Sequence, residues 1–112
     1  MGIDDFNSAL RSHGIINIAR TAFITLPQSH AFATWTRSQR TAIGADEYAM
    51  YWEVTYEVRI FYRDGRKTAD VEMEKAIEQD LREFSGLTSE DGFNGEDNFD
   101  VTLYKFTTTE EF

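Results

Sequence analysis

The chain has 112 residues, of which 41% are apolar and 14% aromatic, and it carries a formal net charge of −9 without any cysteine. This length predicts a single domain over residues 1–112, with enough apolar surface to bury one core. The missing cysteines exclude disulfides, thiolate catalysis and cysteine-ligated metal sites. No secretory signal pattern and no apolar run of roughly 20 residues occurs, so we expect no membrane segment.

The charge is unevenly distributed along the chain. Residues 1–63 contain six acidic and six basic side chains, whereas residues 64–112 contain 14 acidic and five basic ones. An acidic surface keeps a protein soluble and repels other polyanions. Tight DNA binding is not expected, because it depends on Lys and Arg that neutralise phosphates.

The first half of the chain predicts one helix and two short strands. A helix over Ile3–His13 has an acidic first turn and ends at Gly14. A strand is expected near Thr21–Thr25, and β-branched and aromatic residues predict a second one over Phe32–Thr36. The polar segment Arg37–Glu47 is interpreted as a long loop.

The clearest strand and the clearest helix follow each other in the middle of the chain. Met50–Tyr62 alternates with period two, and one of its faces is apolar from Trp52 onwards. An Asp64-Gly65 turn leads to a helix predicted over Ala69–Phe84. The apolar stripe of this helix consists of Met73, Ile77, Leu81 and Phe84.

The C-terminal part predicts a loop, a strand and a tail. Ser89–Asn98 is rich in Gly and acidic residues and is interpreted as a loop, and a last strand begins at Phe99. Residues 107–112 are interpreted as a flexible polar tail. The order α-β-β-β-α-β predicts an α+β fold, with a single antiparallel sheet of about four strands and two helices packed on one face.

The sequence offers no convincing catalytic, metal or cofactor site. His13 and His30 lie on different elements, and Asp46-Glu47 is interpreted as a loop-ordering pair rather than an ion site with Glu53 or Glu57. The acidic segment after Asp91 lacks the spacing of a calcium loop. Hydrolase, P-loop and dinucleotide motifs are also absent, so we expect no enzyme and no cofactor.

Exposed aromatic and basic residues instead indicate an interaction protein. Aromatic side chains off the Trp52 face often anchor partners, and arginines flanking the long loop suit an acidic neighbouring subunit. The residues expected at a subunit or partner interface are Arg37, Arg40, Asp46, Tyr48, Tyr51 and Phe61.

The order of short motifs resembles a family of small phage proteins, the siphophage tail terminator and tail-completion proteins of the head–tail neck. The motifs that carry the resemblance are Phe32-Ala33-Thr34-Trp35, Gly44-Ala45-Asp46, Tyr51–Tyr62, Arg66-Lys67, Glu72–Leu81 and Phe99–Phe106. They cover most of residues 1–107, and each is short and degenerate.

The resemblance implies a virion structural protein that is assembled in the host cytoplasm. Its subunits would form a ring, commonly hexameric, that caps the tail tube protein and joins it to a head-closure or connector protein. DNA would pass through the lumen as a non-specific passenger. Two alternatives stay open: a head-closure adaptor of the same neck, and an unrelated dimeric α+β barrel that binds a ligand or has enzymatic activity between sheet and helices.

Overall fold

The computed structural model describes residues 2–45, 48–95 and 97–111. The elements in chain order are α1 (Ile3–Ser12), β1 (Ile18–Arg20), β2 (Ala31–Ala45), β3 (Tyr48–Arg63), α2 (Thr68–Asp80), β4 (Ser85–Asn94) and β5 (Phe99–Glu111). The α+β class and the two helices are confirmed. The sheet differs from the prediction, because the described residues form five strands rather than about four. The additional strand is β4, which lies between α2 and β5 in the chain.

The five strands form one mixed sheet in the order β1-β2-β3-β5-β4. The β1–β2 pair is parallel, whereas the other three pairs are antiparallel. The short parallel pair joins Ile18 to Ala33 and Arg20 to Trp35. Thr21 ends β1 because its φ of 69° is left-handed, so the strand predicted over Thr21–Thr25 was wrong.

Both helices pack on the same face of the sheet. Phe6 of α1 is fully buried and stacks on Phe106 of β5 with ring centroids 5.1 Å apart. Ile77 of α2 and Leu81 just after it are buried in the same cluster. The strand residues that complete this core are Ala33, Val54, Tyr56, Val58, Ile60, Tyr62, Tyr104 and Phe106. The predicted apolar face of β3 is therefore the core face, although its first residue Trp52 is only partly buried.

The opposite face carries a second, smaller apolar cluster at one end of the sheet. Phe61 stacks on Phe32 at 5.2 Å, and Phe99 meets Phe32 edge-on at 5.4 Å. Phe23, in the connection between β1 and β2, packs against Phe32 from outside. This connection therefore covers part of the face that the alternation of β3 predicted to be wet.

Three segments interpreted as loops or tail form strands. The proposed loop Arg37–Glu47 belongs to β2 up to Ala45, because β3 offers a hydrogen-bonding partner along its whole length. Much of the proposed loop Ser89–Asn98 belongs to β4, a nearly fully exposed edge strand without an apolar face that sequence periodicity would reveal. The proposed tail is also wrong for Thr107–Glu111, which pairs with β3 as the end of β5.

Candidate functional site: a three-stranded tongue with open edges

At one end the sheet narrows from five strands to three. β1 pairs with β2 only as far as Trp35, and β4 pairs with β5 only up to Thr107. Beyond these points β2, β3 and β5 continue together, and we call this part the tongue: Arg37–Ala45, Tyr48–Tyr56 and Thr107–Glu111. The radius of gyration is 15.3 Å, against about 13 Å for a compact chain of this length, and the long axis measures 52 Å.

The β2 edge of the tongue is basic. Arg37 and Arg40 are exposed, and among residues 36–45 there is no acidic side chain. The Arg40 guanidinium lies over the Trp52 ring at 3.9 Å, and Arg20 lies over Trp35 at 5.2 Å. Stacking on tryptophan holds a guanidinium in place while it leaves the N–H groups at its edge available. Within the described residues, no carboxylate lies within ion-pair distance of these three arginines.

A tyrosine–glutamate pair joins the two sides of the tongue. The Tyr56 hydroxyl on β3 donates a 2.6 Å hydrogen bond to Glu110 Oε1 on β5. Burial raises the pKa of Tyr56 to about 12, with further contributions from this hydrogen bond and the Glu110 charge, while Arg37 and Arg20 oppose the rise. Arg37 lies opposite buried Tyr56 in the β2–β3 register, and Arg20 lies opposite Trp35, which packs against the core, so both arginines belong to the helix side of the sheet.

The β5 edge of the tongue is acidic. Beside Ser85, the first residue of β4, lies a notch of about 300 Å³. It is lined by Glu53, Glu83, Phe84, Ser85 and Thr107–Thr109. Glu110 and Glu111, the last two residues of β5, come directly after Thr109. In the described part of the chain, no strand lies against Thr109–Glu111 on the side opposite β3. The two edges of the tongue therefore carry opposite charge.

The tip of the tongue exposes large apolar side chains. Tyr48 is 78% exposed, Met50 63% and Tyr51 39%. Neighbouring exposed apolar side chains at the end of an elongated sheet are typical of a contact surface.

Four of the six residues predicted at an interface, Arg37, Arg40, Tyr48 and Tyr51, lie together in the tongue. Phe61 lies towards the other end of β3 and is partly buried against Phe32, so the structure does not bring it to the other four. The sixth, Asp46, lies outside the described residues.

Sequence reasoning missed a second polar cluster, formed by the sheet-facing carboxylates of α2. Tyr62 donates to Glu74 at 2.5 Å, Tyr104 donates to Glu78 at 2.7 Å, and His30 Nε2 lies 2.7 Å from Asp70 Oδ2. Arg66 and Thr102 also contact Glu74, at 3.4 and 2.8 Å. The signal in the sequence is the spacing of four between the three carboxylates, which places them on one face of a helix.

The tyrosine and threonine side chains of this cluster are buried, whereas His30 and Glu78 are exposed. Tyr62 and Thr102 are fully buried and Tyr104 is 1% exposed. Burial, followed by the hydrogen bonds to glutamate, raises the pKa of both tyrosines far above the ordinary value. These hydroxyls act as fixed donors that attach the sheet to α2.

Two comparisons with known proteins found no match. No family model matches the sequence, and no curated protein matches it. The described residues contain no group of three or more His, Asp or Glu side chains that could hold a metal ion. None of the helices in that part of the chain is long and apolar enough to cross a membrane.

Proposed function

We propose that this protein is a ring-forming structural subunit of a phage neck, acting as a tail terminator or tail-completion protein. The resemblance of its motifs to that family supplies the biological setting. The observation that supports ring formation is the tongue. Its two open edges, formed by β2 and β5, carry opposite charge.

Open edges of opposite charge favour contacts between unlike surfaces of identical subunits. An unpaired strand edge presents N–H and C=O groups that pair readily with another chain. Contacts between two different surfaces of the same protein are heterologous, and they form a closed ring when the rotation closes. A monomer leaves these edges and the apolar tip uncovered, whereas a ring covers the edges and directs the tips along one axis.

The axial partners would contact the ends of the ring. The apolar tip with Tyr48 and Met50 suits a flat protein surface such as the last ring of the tail tube or the head connector. DNA would pass through the centre as a non-specific passenger, and the site of action would be the virion neck.

A structural role also suits the polar chemistry of the fold. Partly buried Glu74 accepts a hydrogen bond from buried Tyr62, and Glu78 accepts one from the hydroxyl of a second buried tyrosine. These groups have their partners within the protein, so no substrate is needed to satisfy them. The two cavities found among the described residues lend the dimeric-barrel alternative no support, because neither is lined by Trp52, Tyr56 or Tyr62.

The first test is the native mass by light scattering over a wide concentration range, with electron microscopy of the large species. A closed ring of hexamer size supports the proposal, and a stable dimer at every concentration overturns it in favour of the barrel. Binding of gold-labelled protein to purified tail tubes separates the two neck roles. A terminator labels tube ends, whereas a head-closure adaptor labels only the connector of filled heads.

A further inference from the structure

We infer that the β2 edge of one copy pairs in parallel with the β5 edge of the next, with the β5 notch as the acceptor site. This inference rests on the proposed ring and names the contact that would build it. The donor segment is Arg37–Ala45, and the acceptor segment is Thr109–Glu111.

The direction of the strands allows this pairing without reorienting a subunit. β3 is antiparallel to both β2 and β5, so the latter two run in the same direction towards the tip. When a second copy is rotated about an axis roughly along the strands, its β2 arrives parallel to β5 of the first copy. Parallel pairing of short segments is weaker than antiparallel pairing, so side-chain contacts must contribute to the stability.

The two edges also match in level along the strands. Thr41, Glu53 and Thr109 lie in one row across β2, β3 and β5. The acceptor edge is thus at the height of the donor edge, and the copies need no axial shift. A β4 edge would not serve, since its central residues Ser89–Asp91 lie level with Ala33–Trp35 of β2, which β1 already covers.

Charge selects this pair of edges. Arg40 lies opposite buried Val54, and Glu110 lies opposite Trp52, so both side chains belong to the helix side of the sheet. In the joined sheet Arg40 of one copy lies diagonal to Glu110 of the next, within reach of a long side chain. Charges on an edge strand also serve simply to prevent aggregation. Here the β5 edge carries a charge of the opposite sign to the β2 edge. This favours a specific contact between copies over a role of the charges in preventing aggregation.

The shape of the subunit sets the form of the assembly. The sheet has five strands at its wide end and three in the tongue. When copies join through their tongues, their broader ends therefore have to point away from one another. Six tongues contribute eighteen strands, a barrel size that leaves an aqueous channel. The helices take the outer, convex side, and no described residue of the inner wall of the tongues is Lys or Arg. The described residues of this wall are Gln39, Thr41, Ile43, Tyr51, Glu53, Thr55, Thr107, Thr109 and Glu111.

Disulfide trapping tests the pairing, since the chain has no cysteine of its own. Thr41→Cys and Thr109→Cys are made as separate exposed single variants and then mixed under mild oxidation. Within one copy these positions are about 10 Å apart across β3, too far for a disulfide. We expect cross-linked dimers in the mixture and at most traces in either variant alone. The double variant should give a ladder that ends at the ring size.

A third variant separates this contact from other ways of forming a ring. Ser89→Cys places a thiol on exposed β4, at the other acidic edge. Cross-linking of Thr41→Cys to Ser89→Cys, but not to Thr109→Cys, overturns the β5 notch and leaves ring assembly intact. Rings by light scattering without either cross-link also overturn the edge pairing while keeping the proposed function. A monomer at every concentration, without cross-links, contradicts both.

Discussion

The Tyr62 hydroxyl donates a hydrogen bond to Glu74 at 2.5 Å, and this contact connects a fully buried residue of the central strand to a partly buried residue of α2. Glu74 also accepts from Thr102 at 2.8 Å and lies 3.4 Å from Arg66. The Arg66 guanidinium in turn lies 5.4 Å from the centroid of the Tyr62 ring. One carboxylate therefore accepts hydrogen bonds from hydroxyls of two strands and lies within ion-pair distance of an arginine in the turn before the helix.

Removing that carboxylate should be strongly destabilising. Glu74→Ala leaves the Tyr62 and Thr102 hydroxyls without their acceptor and removes the carboxylate that lies 3.4 Å from the Arg66 guanidinium, and we expect a loss of about 2–5 kcal/mol in the free energy of unfolding. Tyr62→Phe removes only one donor and should cost about 1–2 kcal/mol. Urea denaturation followed by circular dichroism measures both values.

The matched control is Glu72→Ala, on the exposed face of the same helix. Its 3.4 Å ion pair with Lys75 is well solvated, so the change should stay within about 0.5 kcal/mol. Equal losses of unfolding free energy for the Glu72 and Glu74 variants would show that the polar cluster of α2 does not hold this helix on the sheet.

Alkaline pH should unfold the protein through its buried tyrosines. The pKa of Tyr56 is raised to about 12, and burial raises the pKa of Tyr62 and Tyr104 further. A raised folded-state pKa favours the neutral phenol. The stabilisation is therefore complete below the unfolded value of about 10 and is lost as the pH rises above it.

Near-ultraviolet absorbance of phenolate, recorded together with circular dichroism, tests this dependence. Of the five tyrosines in the chain, we expect three to ionise late, and the ionisation of Tyr62 and Tyr104 to coincide with loss of structure. Tyr56→Phe should remove the component near pH 12 and leave the unfolding step. Ionisation of all five in one step near pH 10, with the fold intact, would contradict the buried hydrogen bonds.

Charge reversal at the β2 edge should prevent self-association without unfolding the subunit. Arg37→Glu with Arg40→Glu puts like charges on both edges of the tongue, and we expect association at least about tenfold weaker by analytical ultracentrifugation. Reversal of Glu110 and Glu111 to Arg in the same chain should restore part of the affinity.

Arg11→Glu with Arg82→Glu serves as the control, because it makes the same change in net charge at exposed positions outside the tongue. This variant should associate like the original protein. If both double variants associate equally well, the basic edge has no part in the assembly.

Phe61 and Tyr51 should respond differently to truncation, although both were predicted at an interface. Phe61 stacks on Phe32 and meets Phe99 edge-on at 6.1 Å, so Phe61→Ala should cost about 2–3 kcal/mol of stability. Tyr51 is 39% exposed near the tip, and Tyr51→Ala should change stability by less than about 1 kcal/mol. Thermal unfolding gives the stability, and light scattering of the same samples gives the association. Weak association by Phe61→Ala with unchanged stability would return Phe61 to the interface.

The elements with strong local signals were predicted well. The alternation of Met50–Tyr62 and the core face of β3 are confirmed, as is the helix that begins near Ile3. Local periodicity suffices here because each element buries one face. α2 ends at Asp80, earlier than predicted, since Leu81 and Phe84 reach the core from a turn after the helix.

The exposed strands were missed for a physical reason. The outer half of β2 and most of β4 are polar and largely exposed, and the end of β5 is polar and partly exposed, so their sequences carry no apolar alternation. They are strands because a neighbouring strand supplies the partners of their backbone N–H and C=O groups. Such partners come from distant parts of the chain, and no local pattern encodes them.

The sequence by itself predicted the α+β class and excluded cysteine chemistry, and it pointed to basic and aromatic residues around the centre of the chain. Only the tertiary structure decided that Arg37, Arg40, Tyr48 and Tyr51 share one tongue, and that Phe61 lies apart from them. It also decided that the two edges of this tongue carry opposite charge. Composition and periodicity act over neighbouring residues, whereas strand order and register depend on which distant segments pair.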